Sequence, residues 1–342
     1  MSSHPTIHAV GFPLWKRKHV RTFLQPAEVR FVPTPALLPR GEAVTVATWG
    51  LRVPEARFAS NCVVWRLEDG FLRSVGLGAD LTPPLSWVKD TRGIYYDPSR
   101  PSDLEHLLAT QDFPAALQDR AKALAARIRS AGLTKYNVGS SAWRRPAAAA
   151  RVILVPGQVE SDASVRHGTR TVTTNLALLQ AVRRAEPDAY VLYKPHPDVA
   201  AGLRKSGRGE EQVREWCHES VAEAAMGSLL ETVDEIHTMT SLAGFEALLR
   251  GKKVVTYGMP FYAGWGLTED RDMTPEVQAR RERNLHRDEL VAACLVLYPL
   301  YAGRDGQLRK GPEETLNELS AWREEKPLRG SVLRPVLRLL GR

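Results

Sequence analysis

The stretch DEIHTMTSLAGFEALLRGKKVVTY, residues 234–257, decides the fold class. Residues 234–239 form a short apolar run that reads as a strand. Thr240 and Ser241 can cap a helix over 241–250, Gly251 stops it, and 253–257 reads as the next strand. The same grammar holds upstream. RVILVPG (151–157) is an apolar run closed by Pro-Gly, and 174–185 carries apolar residues at helical spacing. Residues 189–193 form another strand, stopped by Lys194-Pro195-His196-Pro197, and a helix is predicted over 212–230. Strands alternating with helices imply parallel pairing in a doubly wound sheet.

The first half is less regular. Strands are predicted at 29–32, 43–48 and 63–67, and one helix at 102–131. Beyond residue 287 two helices are predicted, 288–298 and 313–322. A chain of 342 residues with 43% hydrophobic and 25% charged residues is large enough for two α/β units. The division is an N-terminal α/β lobe at 1–145 and a C-terminal α/β lobe at 146–287. Segment 288–342 holds helices returning to the first lobe and a basic tail. The hinge is placed at GSSAWRRP, 139–146. Two facing α/β lobes make a GT-B-like architecture with a ligand cleft between them.

Composition narrows the function classes. Cys62, Cys217 and Cys294 are widely spaced, which excludes a CxxC zinc site and a disulfide framework and fits a reducing compartment. No apolar run is long enough to span a bilayer, and the N-terminus lacks a signal-peptide core, so a soluble, intracellular protein is expected. The net charge of +8 attracts anions without choosing among them. No nucleic-acid motif accompanies it, and nucleic acid is set aside as a partner. Basic clusters lie at Lys16-Arg17-Lys18 with Arg21, and in the tail at Arg329, Arg334, Arg338 and Arg342. The tail reads either as an amphipathic helix on an anionic membrane or as a solvated face, with Pro335 weakening any helix.

In an open parallel sheet ligands sit beyond the carboxyl ends of the strands, and there the polar residues gather. Gln158, Glu160 and Asp162 follow the first strand of the second half, and Lys194, His196 and Pro197 the second. Thr240, Ser241 and Leu242 follow the third. A helix start at Ser241 offers N–H donors to a phosphate, or is simply an N-cap. Glu246 can hold ribose hydroxyls, or pair with Arg250 four residues on, and spacing favours the pair. His196, fixed between two prolines, can donate to a phosphate and help a leaving group depart. Glu160 and Asp162 can trap an oxocarbenium-like centre, or cap the next segment. Glu68 and Arg73, after a strand of the first half, offer an acid/base and an anion contact, unless Asp69-Gly70 is a hairpin turn.

Several stretches together resemble the KpsC-type capsular polysaccharide β-Kdo transferases. They are EDGFLRSVGLGADLTPPLSWV (68–88), GIYYDPSRPSDLEHLL (93–108), LVPGQVESDAS (154–164), TNLALLQAVR (174–183), DAYVLYKPHPDV (188–199), DEIHTMTSLAGFEALLRGKKV (234–254) and YGMPFYAGWGLTED (257–270). The resemblance implies a retaining transferase moving Kdo from CMP-β-Kdo by double displacement. The acceptor it implies is a β-Kdo linker on lipid at the inner face of the cytoplasmic membrane, beside other capsule-assembly proteins. It implies Asp162 as nucleophile with Glu160 as second candidate, Glu68 as acid/base and His196 on the CMP phosphate. It also implies Ser241 and Glu246 on phosphate and ribose, against the Arg250 pairing. No metal and no cofactor beyond the donor substrate are expected. Ser161 stands where members often carry a third acidic residue, and the chain holds one module where members often hold two. Two alternatives remain: a GT-B enzyme using another nucleotide sugar, and a non-catalytic polysaccharide-export protein.

Overall fold

The computed structural model describes residues 4–76, 82–139, 142–309 and 311–325. The arginines at 329, 334, 338 and 342 lie outside them, as do residues 140–141 of the predicted hinge. In chain order the strands are β1 Thr6–Val10, β2 Glu28–Val32, β3 Val44–Trp49, β4 Cys62–Asp69, β5 Ser86–Asp90, β6 Val152–Pro156, β7 Tyr190–Lys194, β8 Glu219–Ser220, β9 Glu235–Thr238, β10 Lys253–Thr256, β11 Glu269–Asp270, β12 Pro299–Ala302 and β13 Leu308–Arg309. They form two sheets. The first has order β13-β12-β5-β4-β3-β1-β2 and the second β11-β10-β9-β6-β7-β8.

The second sheet is parallel throughout. Its central strand β6, VILVP, is buried at every position, as a strand covered on both faces must be. The first sheet is mixed: β1 to β4 run parallel, while β5, β12 and β13 are antiparallel. Thus β12 and β13, which follow the second sheet in sequence, complete the first.

The helices differ from expectation in three places. The predicted helix 102–131 is two, Asp103–Thr110 and Ala115–Ser130, because Pro114 restarts the chain as an N-cap. The predicted helix 212–230 is broken. Only Val213–Trp216 and Met226–Thr232 are α-helical, and between them β8 pairs with the edge of β7. The predicted helix 288–298 is Arg287–Val291 followed by a π-helix, Ala292–Leu297. Asp69-Gly70 is no tight hairpin. Asp69 pairs with Trp87 of β5, and the chain makes a long excursion before returning.

One hydrophobic core joins the two sheets, holding Leu85 and Val88 beside Val152, Leu154 and Leu192. At its centre Phe71 stacks on Phe261 at 4.8 Å between centroids and meets Phe245 at 5.7 Å and Tyr95 at 5.1 Å. Burying such rings supplies a large share of core energy and fixes the relation of the loops above them. No described helix is long and apolar enough to cross a membrane.

Candidate active site

The carboxyl ends of β6, β7 and β9 open into two adjoining clefts with about 750 and 560 Å³ of empty space, part of it open to solvent. The larger is lined by Gln158, Asp162, His196, Thr240 and Ser241, faced by Tyr95 and Tyr96 from the first half. The smaller is lined by Lys194, Pro197 and Glu246. Lys135, Tyr136, His196, Ser241 and Leu242 border both. The three strand-end loops therefore converge on one place.

Gln158 ties the loops together. Its buried amide oxygen accepts the Thr240 N–H at 2.9 Å, and its Nε2 donates to Thr240 Oγ1 at 3.0 Å. Its own backbone exchanges hydrogen bonds of 2.8 and 2.9 Å with the Asn175 side chain. Gly157, just before it, has no room for a side chain. A Cβ there would lie 2.5 Å from Tyr193 Oη and 3.2 Å from the His196 nitrogen.

His196 caps the short helix Pro197–Ala200: its Nδ1 accepts the Asp198 N–H at 3.1 Å. Accepting at Nδ1 places the proton of the neutral ring on Nε2, leaving Nε2–H as a donor. Burial, reinforced by Lys135, Arg204 and Lys194, pushes its pKa down to about 4, so the ring is neutral at physiological pH. Burial also pushes Lys194 down to about 8, and its ammonium donates to the Ala222 carbonyl at 3.0 Å.

Ser241 Oγ accepts the Ala243 N–H at 3.2 Å, starting the helix Leu242–Leu248, which is buried from Ala243 onward. Tyr262 Oη donates to the Ser241 carbonyl at 2.6 Å and braces this turn. The predicted Glu246–Arg250 ion pair does not form. The Glu246 carboxylate accepts the Lys135 N–H at 2.7 Å, and Arg250 donates to the Glu246 carbonyl at 2.9 Å and pairs with Glu231. Burial raises the Glu246 pKa.

The carboxylates separate by environment. Asp162 stands at the N-cap of the helix Ala163–Gly168, but its side chain makes no cap bond; it lines the larger cavity, 43% exposed, in an ion pair with Arg204. Glu160 accepts backbone N–H groups from Asn175 and Arg208, each at 2.9 Å, and is not among the lining residues.

Glu68 and Arg73 are likewise not among the lining residues. Glu68 accepts the Asp69 N–H at 2.9 Å. A methyl group on Gly50 would press on both Glu68 Oε2 and Oη of the lining Tyr96. Burial, then the neighbouring Asp69, raise the Glu68 pKa to about 7 although the side chain keeps some solvent contact. Burial alone would raise Asp69 too, but Arg73, Lys16 and Lys135 hold it below its ordinary value. Arg73 is buried and directed at Asp69 (2.7 Å), Ser74 Oγ (2.8 Å) and the Thr82 carbonyl (3.3 Å), so it orders the Asp69 turn and not the lining. Sequence reasoning missed Tyr95, Tyr96, Lys135 and Tyr136. The one available signal was an aromatic or Lys-aromatic pair in an irregular segment. Among the described residues no cluster of three His, Cys, Asp or Glu could hold a metal ion.

The family of capsule polysaccharide biosynthesis proteins matches residues 45–140 and 139–301. The chain belongs to that family. It is 43% identical over 303 residues to the capsule polysaccharide modification protein LipA of Neisseria meningitidis, across 86% of this chain and 42% of LipA. The chain thus spans less than half the length of that relative. Two solved structures of Thermosulfurimonas dismutans KpsC also match. Its β-Kdo 2,7 transferase is 36% identical with TM-score 0.77, over 94% of this chain and all of that one. Its β-Kdo 2,4 transferase is 33% identical with TM-score 0.80, over 94% and 99%. The mixed α/β fold with two sheets matches both.

Proposed function

We propose that this protein is a retaining β-Kdo glycosyltransferase of capsule polysaccharide biosynthesis, moving Kdo from CMP-β-Kdo to a Kdo-bearing glycolipid acceptor. The observation that carries the reading is the meeting of Asp162, His196 and the Ser241 turn in one cleft, in a chain similar over almost its whole length to two Kdo transferases. The architecture is GT-B-like. Residues 1–145 form the acceptor-side lobe, 146–287 the donor lobe, and 288–342 return to the first. The site works in the cytoplasm, peripherally at the inner membrane face, beside other capsule-assembly proteins.

In the first displacement the Asp162 carboxylate attacks the anomeric carbon and the C–O bond to phosphate breaks, releasing CMP. His196 Nε2–H and the N–H groups of the Ser241 turn meet the developing phosphate charge. Lys194 adds positive charge on the nucleoside side, where Pro197, Leu242 and Glu246 border the ribose. In the second displacement an acceptor hydroxyl loses its proton to Glu68 and attacks the same carbon, releasing Asp162 and retaining the configuration. A carboxyl with pKa near 7 suits a base at neutral pH. The exposed Asp162 supports its choice over Glu160, whose oxygens are both engaged by backbone. No metal or further cofactor enters.

Purified protein given CMP-Kdo, generated in situ, and a β-Kdo acceptor should transfer sugar, and Asp162→Ala should not. Intact mass spectrometry of a Glu68→Gln variant should show one added sugar. CMP should raise Tm more than UMP or UDP does. A fully active Asp162→Ala protein would refute the nucleophile. Absence of both transfer and donor hydrolysis by wild type would refute the enzyme.

A further inference from the structure

The segment 133–139 is clamped from two directions. From the donor half, Glu246 accepts the Lys135 N–H at 2.7 Å, and Arg250 donates to the Leu133 carbonyl at 3.1 Å. From the first half, the Ser74 N–H donates to the Lys135 carbonyl at 3.2 Å, and the Gly76 N–H to the Tyr136 carbonyl at 2.8 Å. The Asn137 amide donates to the Ser74 carbonyl at 3.0 Å, and Asn137 itself adopts φ 51°. A non-glycine residue in that region needs surroundings that hold it there. The backbone that presents Lys135 is therefore fixed.

Lys135 borders both cavities. Among the described residues its ammonium has no ion-pair partner; it lies over the Tyr136 ring, 5.4 Å from the centroid. Burial opposes its charge, but Tyr136, Asp69 and Glu68 hold its pKa above the ordinary lysine value. Asp69 and Glu68 favour its charge from a distance, but neither is in direct ion pair with it, so where two ligand cavities meet the ammonium is free to take an anion supplied by the ligand.

Which anion follows from the donor's chemistry, and this step rests on the reading above. In a 2-ulosonic acid the carboxylate hangs on the same carbon that bears the phosphate ester, so the two anionic groups enter side by side. The donor half offers His196 Nε2–H and the Ser241 turn to the phosphate. Lys135 is the cation presented from the other side of the junction. We propose that Lys135 recognises the sugar carboxylate, making the site selective for acidic over neutral nucleotide sugars.

The test compares Lys135→Met and Lys135→Arg with wild type. KM for CMP-Kdo is read in donor hydrolysis and transfer, and Kd for CMP alone by calorimetry. The Met variant should raise KM about tenfold or more, the loss of one charged hydrogen bond, while CMP Kd stays within about twofold. The Arg variant should recover most of the loss. Retained CMP binding also reports a folded site. Equal weakening of CMP and CMP-Kdo would overturn the proposal by making Lys135 a phosphate ligand. Unchanged KM in the Met variant, or a Kd for CMP lost in both variants, would overturn it too. A wild type that binds CMP but does not turn over CMP-Kdo overturns the transferase reading and this proposal with it, whereas an active wild type isolates the lysine.

Discussion

Glu68→Gln is the perturbation with the sharpest signature. The variant keeps an oxygen to accept the Asp69 N–H at 2.9 Å and removes only the titrating proton. Burial and Asp69 raise the wild-type carboxyl from 4.5 to about 7. The native state therefore holds this proton more tightly than the unfolded chain. Stability from that proton is fully present below pH 4.5 and lost as pH rises through 7. At about 1.4 kcal/mol per pH unit, the loss is on the order of 3 kcal/mol. Wild type and variant should be nearly equal near pH 4.5, and the variant more stable by up to about 3 kcal/mol near pH 7.5. Urea unfolding at half-unit steps from pH 4.5 to 7.5 reads this directly and stops short of the midpoint near 8 to which burial lowers Lys16. In turnover, wild type should gain activity through pH 7 and the variant should be slow and flat. Parallel stability curves would show that Glu68 is an ordinary solvated carboxylate and remove its claim as the base.

Gln158→Leu should cost about 2–4 kcal/mol in urea unfolding, because it unpairs the buried Thr238 hydroxyl and the half-buried Thr240 N–H and hydroxyl, and CMP affinity should fall with it. Retention of wild-type stability would mean the loops are held by other contacts. Gly157→Ala should cost about 1–3 kcal/mol and misplace His196, since the new methyl meets Tyr193 Oη and the His196 nitrogen. Unaltered Tm and CMP binding would contradict that packing. His196→Ala should weaken CMP about tenfold or more in calorimetry, with His196→Gln, which keeps an N–H donor, losing less. Equal losses in the two would deny the Nε2–H contact.

The second sheet was legible because parallel strands covered on both faces appear as unbroken apolar runs, and Gly or Pro closes them, as at VILVPG and YVLYKP. The first sheet was partly hidden. β5 is five residues with a lysine and an aspartate, and β12 begins at a proline that cannot donate to the ladder. Only pairing with distant partners makes these segments strands, Pro299 opposite Val88 for instance. The same override breaks the predicted helix 212–230. There the His218 N–H bonds to the Val191 carbonyl and the Val221 N–H to the Tyr193 carbonyl, and edge pairing outweighs helical spacing.

The site divides along the same physical line. Gln158, His196 and Ser241 could be placed because chain order alone puts the ends of parallel strands on one rim. Lys135 and Tyr136 could not, because contacts 60 to 111 residues away in sequence, with Ser74, Gly76 and Glu246, bring them there. Glu246 shows the competition within one side chain. Spacing offers it Arg250 in the next turn, an exposed-helix interaction worth a few tenths of a kcal/mol. The fold instead buries it against the N–H of Lys135, where an unpaired donor would cost about 1–3 kcal/mol. The larger penalty wins, and in winning it fixes the loop that walls the cleft. Lys135 and Tyr136 are thus positioned by side chains of the second half that satisfy buried backbone groups of the first, a requirement no local pattern in either half can express.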